Sequence, residues 1–108
     1  MENYTVKQGK TFAIVAYLWW IGLIIAFIVN MNRRNEFTSF HIRQAFGLNI
    51  ASIAAGLVSE YISGTVGWIL GAFVFVLWIL GILYAIQEKE KTVPVIGDLF
   101  QDWFKSLQ

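Results

Sequence analysis

Uncharged and mostly apolar positions fall into three long blocks. No side chain between Lys10 and Arg33, between Arg43 and Glu60, or between Glu60 and Glu88 carries a formal charge. An α-helix rises about 1.5 Å per residue, so about 20 apolar residues cross roughly 30 Å of hydrocarbon. The blocks therefore predict spans over residues 11–32, 39–60 and 65–87. The first run ends in Asn30, Met31, Asn32, Arg33 and Arg34 rather than in small residues, which predicts a retained span and not a cleaved leader. Past Pro94 the pattern changes. Val95, Ile96, Leu99, Phe100, Trp103, Phe104 and Leu107 recur at helical spacing opposite Asp98, Gln101, Asp102 and Lys105. That predicts a short amphipathic helix over residues 95–107, too short to span and expected to dock beneath its own bundle. The fold expected is an all-α membrane protein in a single domain over residues 1–108, with three transmembrane helices plus a short C-terminal amphipathic helix.

The faces of these helices carry further information. At 100° per residue, His41, Gln44, Ala45, Leu48, Ser52, Ala55 and Ser59 lie close to one line down the second span. Small and hydrogen-bonding groups suit lipid poorly, so this stripe is expected to face other helices. Two readings follow for its polar members His41, Gln44, Ser52 and Ser59. They bond neighbouring elements and tie the bundle together, or His41 and Gln44 line the entrance of a polar conduit as gate residues. Thr38 or Ser39 is expected to cap this helix. Arg43 lies just inside the boundary, where its guanidinium can snorkel towards headgroup phosphates. On the third span Gly67, Gly71, Gly81 and Ala85 share a face, with Gly67 and Gly71 in Gly-x-x-x-Gly spacing. Such a face predicts close helix packing, against the polar stripe or against a second copy. Tyr17, Trp19 and Trp20 sit mid-way along the first run rather than at its ends, which predicts helix packing or lipid contact for them.

Composition supports the lipid reading: 57% of residues are hydrophobic and only 14% charged, more apolar surface than a soluble globule of this length can hide. The net charge of +1, with basic residues spread along the chain, speaks against nucleic acid as a partner. The absence of cysteine removes disulfides, thiol catalysis and cysteine-based metal sites, and a single histidine makes a multi-histidine metal site unexpected. No cofactor is expected. Neither a Ser/His/Asp set nor a carboxylate pair falls at mid-membrane depth, so no enzymatic activity is expected either. The expected partners are the lipid bilayer and, within it, a second copy or other membrane-protein subunits. For three spans, an outward amino terminus places six of the eight basic residues in the cytoplasm, which predicts a cytoplasmic His41 loop and C-terminus.

Phe37-x-x-Phe40-His41-x-x-Gln44-Ala45, at the mouth of an apolar helix after a charged loop, resembles the bacterial relatives of the chloroplast inner-envelope Tic-type import channel subunit, many of them labelled import components or a domain of unknown function. The resemblance runs from Phe12 through Val93-Pro94-Val95-Ile96-Gly97 to Phe104, and its most specific residues are Phe40, His41, Gln44 and Ala45. It implies a multi-pass protein of the bacterial inner membrane with a part in protein translocation or in a transport assembly. The plant family is described with four spans, against three and a short helix here. From the residues alone, a structural or assembly subunit that transports nothing stands as the alternative.

Overall fold

A computed structural model of the chain describes residues 2–105 and 107. Among these residues five helices follow one another: α1 (Glu2–Val15), α2 (Trp19–Arg33), α3 (Glu36–Tyr61), α4 (Gly64–Ile86) and α5 (Gly97–Trp103). The stretches expected at 39–60 and 65–87 correspond to α3 and α4. The single helix expected over 11–32 is instead divided between α1 and α2. It breaks at Ala16, Tyr17 and Leu18, where the amides of Tyr17 and Leu18 reach back only three residues, to Ile14 and Val15, and Trp19 takes a left-handed φ of 59°. The chain then reverses so tightly that a Cβ on Gly22 would collide with the carbonyl oxygen of Val15. A non-glycine residue held left-handed costs about 1–2 kcal/mol. Against that cost, the carbonyl of Tyr17 released at the break is taken up by the indole Nε1–H of Trp78, at 2.7 Å.

This reversal sets the arrangement of everything else. α1 runs parallel to the start of α3, with Asn35 Nδ2 donating to Thr5 O at 2.8 Å and Thr38 Oγ1 to Gly9 O at 2.9 Å. α2 comes back antiparallel to it, so that Arg33 Nη2 donates to Gln8 O at 2.8 Å and the guanidinium lies 5.6 Å over the ring of Phe12. The amino terminus and the 33–36 connection therefore share one end of the bundle, where three full spans would have put them on opposite faces. Among the described residues one helix, α4, is long and apolar enough to cross a membrane by length and composition alone. α2, at 15 residues, is about 22 Å long and falls short of roughly 30 Å.

Caps fix where the long helices begin. Asn35 rather than Thr38 or Ser39 caps α3, its Oδ1 accepting from the amide of Thr38 at 3.0 Å, and Ser63 caps α4 through the amide of Val66 at 3.3 Å. α3 and α4 form an antiparallel hairpin that packs tightly at Gly67, where any side chain would enter the backbone of Ser59. α5 is shorter than the helix expected over residues 95–107 and docks on the first half of α3 by part of its apolar face: Phe100 lies against Gly47, and Gln101 accepts from Arg43 Nε at 2.6 Å while donating to Phe40 O at 2.9 Å, whereas Val95, Leu99 and Trp103 stay exposed.

Candidate functional site

The end of the bundle where α1 and α2 pack on α3 holds a buried polar chain built from three separate elements. Tyr17 stands at the α1–α2 reversal, and His41 and Gln44 lie one turn apart on α3. The connection after α4 closes over them. All three side chains are fully buried. His41 Nε2 lies 2.9 Å from the carbonyl oxygen of Lys89, and Nδ1 lies 2.6 Å from the hydroxyl of Tyr17. A carbonyl can only accept, so Nε2 carries the proton, and in the neutral ring Nδ1 then accepts from the Tyr17 O–H. The Tyr17 oxygen in turn accepts from Gln44 Nε2 at 2.9 Å, and Gln44 Oε1 accepts from the amide of Val93 at 2.8 Å. The bonds run in one direction from Val93 to Lys89, with each side chain used as both donor and acceptor.

Apolar packing encloses this chain. The edges of Phe37, Phe40 and Tyr17 meet the imidazole at centroid distances of 4.8, 5.1 and 5.5 Å. The Tyr17 ring lies against Gly81, where a Cβ would come within 2.7 Å of it. No buried side-chain nitrogen or oxygen among the described residues lacks a partner. Such closure matters because a polar group buried away from water without a partner costs a few kcal/mol. Lys10 reinforces the same end by pairing with Glu88 at 3.2 Å.

The stripe expected on α3 divides in two. His41 and Gln44 belong to the buried chain, whereas Ser52 is exposed and Ser59 half-buried, both along a groove shared with Gly56, Gly67, Gly71 and Phe75. The face expected on α4 divides likewise. Gly67 packs on Ser59, Gly81 on Tyr17, and Ala85 is buried, while Gly71 has open space before it. Arg43 is engaged by Gln101 of α5. Sequence reasoning missed Tyr17, Trp78 and the main chain of residues 89–93. One signal for Tyr17 was available: a hydroxyl in the middle of an apolar run has to find a partner.

A family model described as the magnetosome magnetite crystal formation protein family matches residues 8–100. The chain belongs to that family. The match takes in all of the Phe37 to Ala45 segment, and it overturns the resemblance to Tic-type import components: nothing in the comparisons points to protein import. The chain is also similar to a UPF0132 membrane protein of Methanocaldococcus jannaschii, 26% identical over 94 residues that cover 82% of this chain and 64% of the relative. It thus spans less than two thirds of that relative's length. No solved structure matches the chain.

Proposed function

We propose that the protein is a structural component of a membrane, held in the bilayer by α3 and α4, and not a conduit. The observation that carries this reading is the closed polar chain. The two side chains best placed to gate a passage, His41 and Gln44, spend their bonding capacity on Tyr17 and on the main chain of residues 89–93. A gate needs groups free to exchange partners with a passing solute, whereas these are saturated and sealed behind aromatic rings. Membership of a family described by magnetite crystal formation in magnetosomes, and likeness to a protein named as a membrane protein, support a role in the membrane of a bounded compartment. A bacterial inner-membrane origin for that membrane is part of the same proposal.

Reconstitution into liposomes tests it. The structural reading expects no flux of ions or of small solutes above that of empty liposomes, and an unfolding temperature in detergent that falls sharply in His41→Ala. Substantial flux through the wild-type protein, altered in His41→Ala while the unfolding temperature holds, would overturn it.

A further inference from the structure

Viewed along α4, the molecule is unequal at its two ends. The indole of Trp78, which bonds the α1–α2 reversal, stands eight residues before Ile86, or about 12 Å along a helix of about 35 Å. The reversal thus lies about a third of the way through. α5 also docks on this half of α3, through Phe100 on Gly47 and Phe104 beside Phe46, with ring centroids 4.9 Å apart. Beyond it, α3 and α4 continue alone: past Leu48 only Ala55 of α3 is buried, and before Val74 only Gly67 of α4. With about 100 Å² of cross-section per helix, the far half occupies about 200 Å² and the near half about 400 Å² before α5 is added.

Charge follows the same division. The Lys7, Lys10 and Arg33 side chains meet Glu88 and Gln8 at the near end, and Arg34, Arg43, Lys89, Lys91 and Lys105 lie on elements joined there. All eight basic residues are therefore at the near end, and among the described residues Glu60 is the one charged residue at the far end. The exposed face of α2, with Ile21, Ile24, Ile25 and Ile28 at 45–75% exposure, is suited to acyl chains and unsuited to water.

We propose that α1 and α2 form a re-entrant hairpin in one monolayer, making the protein a wedge that favours bilayers curved with that monolayer convex. This deepens the structural reading above and rests on its claim that α3 and α4 lie in a bilayer. The excess of Lys and Arg makes the wide end cytoplasmic, and with it both the amino terminus and α5. That replaces the outward amino terminus expected from three spans. A bilayer closing around a small compartment, with its cytoplasmic monolayer outermost, has the curvature that this shape fits.

The chain has no cysteine, so single substitutions report orientation cleanly. In sealed vesicles of one orientation, Lys7→Cys and Asp102→Cys are expected to react with an impermeant maleimide from the same side, and Glu60→Cys only from the other. Reaction of Lys7→Cys with the Glu60→Cys class would overturn the hairpin. In tubules drawn from giant vesicles of uncharged phospholipid, protein with its wide end outward is expected to be about twofold denser than in the flat membrane, a preference of about 0.4 kcal/mol. The double variant Gly56→Phe, Gly71→Phe, which thickens the far half where both positions have open space, is expected to lose that excess. Equal density in tubule and flat membrane, or crosslinking of Gly71→Cys between copies that fills the far half, would overturn the wedge. Failure of the bilayer reading looks different: the protein would then stay in the aqueous phase without detergent.

Discussion

The two halves of the bundle share α3 and α4 but are stabilised by different means. In the near half those helices are wrapped by α1, α2, α5 and the connection after α4, and the contacts are specific: caged imidazole, directed hydrogen bonds, a glycine fitted to a tyrosine ring. In the far half they meet at Gly67 and are otherwise open to their surroundings, with Tyr61, Ile62 and Trp68 each more than three-quarters exposed. Packing density, and not hydropathy, separates the halves, since both read as apolar in sequence. The buried polar side chains follow the same division: Asn30, Asn35, Thr38, Ser39, His41 and Gln44 all lie in the near half, where extra helices are held to α3 and α4.

Substitutions can break that contrast. The largest effect is expected from His41→Ala, which empties a fully enclosed site and strands both the Tyr17 hydroxyl and the Lys89 carbonyl. A loss of about 3–5 kcal/mol should be visible as a lowered unfolding temperature in detergent. Gln44→Leu keeps the volume but leaves the Val93 amide unpaired, for about 1–3 kcal/mol by the same measurement. Gly81→Leu drives a side chain into the Tyr17 ring and is expected to cost about 1–3 kcal/mol as well. Tyr17→Phe, which deletes one hydroxyl between two partners, should cost about 1–2 kcal/mol. At the small end, Gly71→Leu should lie within about 0.5 kcal/mol of the parent, because nothing stands in its way. A far-half substitution as costly as His41→Ala would erase the distinction between the halves.

The sequence made α3 and α4 legible because charge boundaries announce them, and α5 legible in part, since only Ile96, Phe100, Phe104 and Leu107 of its apolar positions are drawn into the packing. It concealed the reversal at Tyr17. Residues 11–32 contain no proline and no charge, and the one local mark of the reversal, Gly22, reads equally well as a helix-packing glycine, while the break itself is stabilised by Trp78, some 60 residues later. Half of the polar site was visible in the same way. The spacing of His41 and Gln44 on one helical face was readable, but their partners are a tyrosine from another element and main-chain groups of a connection, which carry no side-chain signature. The face drawn through Ser52 and Ser59 was continuous on the helix and is not continuous in the packing, because α1 and α2 cover only its first half. The same coverage splits the glycines of α4 into those used internally and Gly71, which is not.

The bond between Trp78 and the Tyr17 carbonyl has a bearing on how the molecule is made. Tyr17 leaves the ribosome early, and the last member of its bonding chain, Val93, comes 76 residues later. At 5–20 residues per second that interval is roughly 4 to 15 s. During synthesis the N-terminal helices have neither the indole that secures their turn nor the main-chain groups that close over it, so final seating of this pair must wait until α4 has been threaded.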